Sequence, residues 1–382
     1  MSRQSPGFGV YIHWPFCQTI CPYCDFNVHA QTDIDEAAWR QALLSELAHY
    51  ALETSGRTVT SLYFGGGTPS LMAPETIAAL IDGVAALWKV APDIEITVET
   101  NPTSTERARL GDMRSAGVNR VSVGVQSLDD GALEFLGRDH SAADALKSLE
   151  RAQTLFPRTT FDLIYALPGQ SLQQWQRELK TALGSAGGHI SLYQLTIEPG
   201  TPFYRKGLKP IDEDTAADMF EATQDTLNNA GLPAYEVSNH ARPGDESRHN
   251  LTCWRGGDYL GAGPGAHGRL TLQGKFFGTH QIHNPVRWLT LTQKNGHATA
   301  KRRLLGVDDR ARELIMMGLR LVEGIDKTRF ESIIGLPIEP FFDQAARQRL
   351  IDGGLLIDDG SRVFASTDGR QRLNGVLGAL LS

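Results

Sequence analysis

The sequence predicts an α/β chain: a partial (β/α)6 barrel followed by a small, mainly helical C-terminal domain of winged-helix type. Three observations predict it. β-branched apolar runs alternate with longer amphipathic runs as far as about residue 240, a glycine-rich segment then breaks the alternation, and the chain beyond residue 300 reads as helices and a hairpin. Strict alternation is the pattern of parallel strands joined by helical crossovers. The expected domains are therefore residues 1–300 and 301–382.

The expected strands are Gly9–His13, Ser61–Phe64, Ile94–Glu99, Arg120–Val125, Thr160–Ile164 and Ser191–Ile197, each rich in residues that fit a pleated, buried surface. The expected helices run over about Glu36–Ala51, Pro74–Trp88, Thr105–Ala116, Ala142–Phe156, Leu172–Leu183 and Asp212–Ala230. Several open on Ser, Thr or Asp and close near Gly. Arg255–Gly278, with its GGDYLGAGPGAHG core, is expected to be an irregular loop packed at the barrel mouth. After the basic stretch Lys301–Arg303, two helices over about Asp308–Val322 and Pro340–Asp352 precede a hairpin of Leu355–Asp358 and Arg362–Ala365. Lys301–Arg303 is expected to be a solvated junction, with attraction to a ligand's carboxylates as the other reading.

With 382 residues, 41% hydrophobic, 21% charged and 39 glycines spread along the chain, the composition is that of a globular protein. A net charge of -7 and a pI near 5.9 leave no global positive field, so nucleic acid is not an expected partner. The N-terminal MSRQSPGFGVYIHWPFC has no apolar leader core, and no long uncharged apolar run occurs, so neither secretion nor a membrane span is expected. Four cysteines are too few for a disulfide scaffold, and three of them fall within eight residues. That usage predicts a cytoplasmic protein with a metal site.

Cys17, Cys21 and Cys24 put three thiols on one loop directly after an apolar strand. Three ligands can hold a four-iron cluster with one iron left open to an exogenous ligand. A zinc site would need His13, Asp25 or His29 to complete it, and plain thiols are the third reading. Gly65-Gly66-Gly67-Thr68-Pro69 follows a strand and precedes a helix, so its bare backbone either lets a ligand approach closely or forms a tight turn. Glu99, Gln126 and Asp162 stand at or near strand ends, where parallel barrels deliver chemistry to their C-terminal mouth; satisfaction by neighbouring loops is the alternative.

CQTICPYC, with Tyr23 just before the third cysteine, carries the CxxxCxxC signature of the radical SAM superfamily. Together with YIHWPF, LYFGGGTPS, ETNPTS, VSVGVQSLDD, LGRDHS, FDLIYALPGQ and LYQLTIEPGT, the chain resembles the anaerobic coproporphyrinogen III dehydrogenase (HemN-like) group and, within it, the HemW-type haem chaperones. The resemblance runs from about Gly9 into the C-terminal domain. It implies a 4Fe-4S cluster on Cys17, Cys21 and Cys24, and S-adenosylmethionine (SAM) chelating its open iron. It implies Gly66, Gly67 and Thr68 at the methionyl amino group, Arg138 at the methionyl carboxylate, and Glu99, Gln126 and Asp162 around the ribose. Tyr11 and Tyr23 match aromatic positions flanking the cluster, with core packing as the other reading, and Thr196 matches a nucleoside-side position.

Two departures separate this chain from the dehydrogenase: Phe26 stands where a fourth cysteine would follow, and only 16 residues precede Cys17. Both disfavour porphyrinogen oxidation and leave the protein's status as an enzyme open. The chaperone branch has an HNxxYW element, matched here by His249-Asn250-Leu251-Thr252-Cys253-Trp254 with Cys in place of Tyr. His249 and Cys253 can both ligate haem iron and Trp254 can stack on a porphyrin, so His249 and Cys253 are the haem candidates; burial as ordinary core residues is the other reading. His267 in GPGAHG is either near the cofactors or a loop hydrogen-bonder. The expected function is a haem chaperone that holds a 4Fe-4S cluster and SAM and transfers haem to acceptor haem proteins; the alternative is oxygen-independent coproporphyrinogen III dehydrogenase. An acidic surface is compatible with such partners and with a homodimer.

Overall fold

In the computed structural model the described residues are 6–381; residues 1–5, on which the reading of the N-terminus partly rests, and residue 382 lie outside them. Six strands follow one another in parallel: β1 (Phe8–Trp14), β2 (Thr58–Gly66), β3 (Lys89–Thr100), β4 (Arg120–Gln126), β5 (Arg158–Tyr165) and β6 (His189–Gln194). Helices α1 (Glu36–Ala51), α2 (Pro74–Leu87), α3 (Ser104–Ser115), α4 (Ala142–Leu155), α5 (Leu172–Gly184) and α6 (Glu213–Asn229) alternate with them. Asp35 caps α1, and Ser141 and Ser171 close capping boxes on α4 and α5, which satisfies backbone N–H groups that a helix start leaves free. Val10, Ile12, Leu62, Phe64, Val98, Val121 and Leu163 are buried in one continuous core. Strands covered by helices read as near-continuous apolar runs for this reason.

The sheet is larger than the sequence predicts, with eleven strands in place of six. β7 (Asn239–Ala241) lies antiparallel beside β6. At the other edge β8 (Asp258–Ala262) pairs in parallel with β1, and β9 (His267–Leu272), β10 (Lys275–Gln281) and β11 (Thr299–Leu305) extend it as an antiparallel meander. Sheet order is β11-β10-β9-β8-β1-β2-β3-β4-β5-β6-β7, with β7 and β11 left as edges, so the barrel is partial.

Arg255–Gly278 is thus mostly strand, which corrects the expectation of an irregular loop. Its glycines serve close strand packing: a Cβ on Gly261 would lie 2.1 Å from the His267 carbonyl oxygen, and one on Gly268 would lie 2.5 Å from Thr279 Oγ1. The turn at Gly263–Ala266 does reach the cysteine loop, where Asn27 donates to the Pro264 carbonyl.

A second apolar core joins Ala311, Leu314, Ile315, Phe330, Ile334, Leu356, Val363 and Val376. It is enclosed by helices Val307–Gly318, Lys327–Ile334, Gln344–Asp352 and Leu373–Leu380 and by a three-stranded antiparallel sheet containing the Leu356–Asp358 and Arg362–Ala365 hairpin. Helix Lys327–Ile334 is absent from the sequence reading, since its eight residues are too short for a clear period. Among the described residues no helix is long and apolar enough to cross a membrane.

Candidate cofactor site

The loop after β1 is pinned at both ends. Phe16–Cys17 pairs in parallel with His29–Ala30, which closes the stretch that carries the three cysteines. Backbone N–H groups of Gly67 and Thr68 donate to the carbonyls of Trp14 (2.7 Å) and Phe16 (2.8 Å), so the glycine turn is laid against the same loop. A Cβ on Gly67 would fall 2.6 Å from the Phe16 carbonyl oxygen and 3.0 Å from Cys17 Sγ. Gly66 has φ near +111°, and a Cβ there would strike the His13 ring. Only glycine fits at both positions.

These elements surround a cavity of about 400 Å³ lined by Cys17, Cys21 and Cys24 and by Tyr23, Gly66, Gly67, Thr68, Glu99, Gln126, Arg138, Asp162 and Thr196. Phe26 also lines it and is largely exposed. Tyr11 does not: it sits one layer deeper, bonded to His13 Nδ1 at 3.0 Å and stacked on Tyr63. His267 stands apart as well, on the outer face of β9.

Glu99 accepts from the Tyr63 hydroxyl (2.8 Å) and from the Gly66 N–H (3.2 Å), while burial pushes its carboxyl up to about 7. Burial likewise raises Asp162 to about 6, and Ser122 Oγ lies 3.4 Å from each of its oxygens. Burial thus favours the protonated form of both carboxyls. Arg138 donates from Nη1 to Cys21 Sγ at 3.3 Å and from Nη2 to the Gly124 carbonyl at 3.0 Å and to Asn101 Oδ1. Gln126 holds φ near +68°, unusual for a residue with a side chain, and thereby turns back over Gly124.

Burial raises the Cys17 thiol and pushes Cys24 up to about 11, so iron binding there displaces protons. Among the described residues no three His, Cys, Asp or Glu groups converge on a single ion. A zinc ion completed by His13, Asp25 or His29 has no such set, and His13 Nε2 is bonded to the Asn27 carbonyl at 2.9 Å. Three thiols spread around one cavity fit a polynuclear cluster better, because each sulfur then meets a different iron.

The haem candidates lie elsewhere. Helix α7 (Arg248–Trp254), capped by Ser247, packs where β1 and β2 begin. His249 Nδ1 is 3.4 Å from Ser61 Oγ, Nε2 is 4.0 Å from Cys253 Sγ, and the ring stacks on Tyr63. Burial lowers His249 to about 4 and raises Cys253 to about 12. The structure brings His249 and Cys253 together, but inside the barrel and away from the cysteine loop. Trp254 faces outward from them beneath the Arg320 guanidinium.

Sequence reasoning passes over Tyr63, Asn101, Glu106 and Ser122. Asn101 bonds Thr68 Oγ1 at 3.1 Å and receives Arg138, and buried Glu106 accepts from the Asn101 N–H at 2.7 Å. Asn101 stands two residues after Glu99 within ETNPTS, so the motif itself is the signal that could have found it.

The radical SAM superfamily profile matches residues 11–182, and the HemN C-terminal domain matches residues 305–372. The fold is similar to that of coproporphyrinogen III oxidase (HemN) from Escherichia coli, with a TM-score of 0.82 at 23% identity over 99% of this chain and 91% of that one. Radical S-adenosyl methionine domain-containing protein 1, mitochondrial, from Bos taurus is 41% identical over 99% of this chain and 89% of its own length. Heme chaperone HemW from Escherichia coli K12 is 38% identical over 90% of this chain and 91% of its own, and that from Bacillus subtilis 34% over 97% and 98%. Identity of this extent, end to end, places the chain: it belongs to the radical SAM superfamily, in the family of the HemW proteins and their mitochondrial relatives.

Proposed function

We propose that the protein is a haem chaperone that holds a 4Fe-4S cluster on Cys17, Cys21 and Cys24, binds SAM in the adjoining cavity, and hands haem to haem-requiring acceptor proteins. The observation that carries this reading is end-to-end similarity to proteins named heme chaperone HemW, at 34–38% identity. Phe26, at the position of the dehydrogenase's further cysteine, supports it over coproporphyrinogen III dehydrogenase. When bound, the cluster and SAM supply one-electron chemistry at the sulfonium.

This chain's residues orient that chemistry. The backbone of Gly66, Gly67 and Thr68 approaches the amino group, Arg138 pairs with the carboxylate, and Glu99, Gln126 and Asp162 accept from the ribose side. Tyr23 walls the cavity, and Tyr11 acts at one remove by fixing His13 and Tyr63. Residence in the cytoplasm, a homodimer, and a division into 1–300 and 301–382 belong to the same reading. The separate core from Ala311 to Leu380 supports the division, although Thr299–Leu305 still belongs to the large sheet.

The test is anaerobic incubation of the cluster-loaded protein with SAM and coproporphyrinogen III, with haem retention measured on the same preparation. Retention of about one haem per chain without protoporphyrinogen formation is expected. Conversion of the porphyrinogen overturns the chaperone reading in favour of the dehydrogenase.

A further inference from the structure

Three antiparallel strands at one edge of the sheet set a row of basic side chains side by side. His267 on β9 is in register with His280 on β10, and His280 with Lys301 on β11. Directly opposed residues share one face of a sheet with adjacent Cβ atoms, so the row spans about 10 Å. The His267 and His280 rings stack at 4.0 Å, and His283 meets His280 edge-on at 4.4 Å. His267 and His283 are exposed.

Beyond this mutual stacking, among the described residues no hydrogen bond holds the imidazole of His267, His280 or His283, and His280 Nε2 is buried with no hydrogen-bond partner. Lys301 is exposed and has no ion pair among the described residues, whereas Arg302 and Arg303 beside it pair with Glu53 and Asp309. Burial, with the neighbouring imidazoles and Lys301, lowers His280 to about 4, and burial with the Arg269 charge and His283 holds His267 below its ordinary range. Neutral imidazoles keep a lone pair for a metal.

The row also adjoins the cysteine loop. Asn27 Nδ2 donates at 2.9 Å to the carbonyls of both Pro264 and His283, and its neighbour Phe26 is 66% exposed. An apolar ring on the cysteine loop, with an open imidazole and an unpaired ammonium at the adjoining sheet edge, suits a flat apolar ligand that carries both an iron and carboxylates. By contrast His249 is enclosed between Tyr63 and Cys253, and half-buried His297 is bonded to Thr299 through Nδ1 at 3.1 Å.

We propose that the His267–His280–His283 row with Lys301 is the surface that receives haem, one exposed imidazole ligating the iron and Lys301 pairing with a propionate. This rests on the chaperone reading and gives that function a place. The three rings do not converge on a bare ion, which distinguishes a haem surface from a metal-ion site.

Haemin is titrated into the full-length, cluster-loaded protein and followed by its absorbance and by electron paramagnetic resonance. The His267→Ala/His280→Ala/His283→Ala variant is expected to bind haemin about tenfold or more weakly and to lose the imidazole-ligated signature, which added free imidazole restores. Lys301→Glu is expected to weaken binding without changing the signature. His49→Ala/His297→Ala, a half-buried stacked pair elsewhere, is the control and keeps both. Circular dichroism checks that the triple variant is folded; if it is not, the His→Gln triple variant takes its place. A folded triple variant with wild-type affinity and signature overturns this site and leaves the chaperone reading standing. Wild-type protein that takes up no haemin overturns both.

Discussion

Arg138 spans the mouth of the barrel, with Nη1 3.3 Å from Cys21 Sγ and Nη2 3.0 Å from the carbonyl of Gly124 on β4. One guanidinium thus faces the cysteine loop and the strand at the same time. Lysine has a single point charge and cannot serve both directions. Arg138→Lys is expected to keep the iron content while weakening SAM binding about tenfold or more, as loss of a charge-assisted pair implies. Equilibrium dialysis with SAM reads the affinity, and unchanged binding removes Arg138 from the site.

Gly67 has no room for a side chain between the Phe16 carbonyl and Cys17 Sγ. Gly67→Ala must push the cysteine loop outward, so iron and sulfide per chain should fall well below the wild-type level. Far-ultraviolet circular dichroism should remain native, because the turn lies at the mouth and outside the apolar core. Full cluster occupancy in Gly67→Ala would contradict the close approach.

Glu99 has its carboxyl raised by burial to about 7 against an ordinary 4.5. A raised folded value makes this contribution greatest below 4.5, with progressive loss as pH rises to about 7. It should cost the cofactor-free protein on the order of 3 kcal/mol across that window. His249 and His240 are lowered by burial and act in the opposite sense as pH falls, so the comparison is between wild type and Glu99→Gln, in which they cancel. The difference in melting temperature between the two should shrink or reverse from pH 5 to pH 8. A constant difference would mean that Glu99 ionises normally.

Glu46 on α1 is fully buried and accepts from the Gly263 N–H (2.8 Å), the Ala298 N–H (2.9 Å) and Trp288 Nε1 (3.1 Å). One carboxyl thereby ties α1 to the turn after β8 and to the approach to β11. Glu46→Ala strands three buried donors and should destabilise the fold by roughly 3 kcal/mol or more. Denaturant unfolding measures it, and a loss below about 1 kcal/mol would show that water replaces the carboxyl.

The parallel strands were legible because β-branched apolar residues recur at every second position, as in Val121, Val123 and Val125, with small residues between them. The cysteines, the glycine turn and the strand-end carboxyls were legible because their spacing is local. Less legible was whatever depends on a distant partner. Gly261 and Gly268 look like loop residues until His267 and Thr279 are seen against them, and Tyr63 looks like a core aromatic until its hydroxyl is seen donating a hydrogen bond to Glu99. The placement of His249 was hidden for the same reason, since nothing near residue 249 in sequence reveals that Ser61 and Tyr63 enclose it.

The Asn27 amide makes the cysteine loop and the β9–β10 edge two ends of one mechanical coupling. A ligand seated beside His283 would touch a segment that the same amide ties to the cysteine loop. Any coupling that this tie carried would be reciprocal by thermodynamic necessity, each end altering the affinity of the other by the same factor.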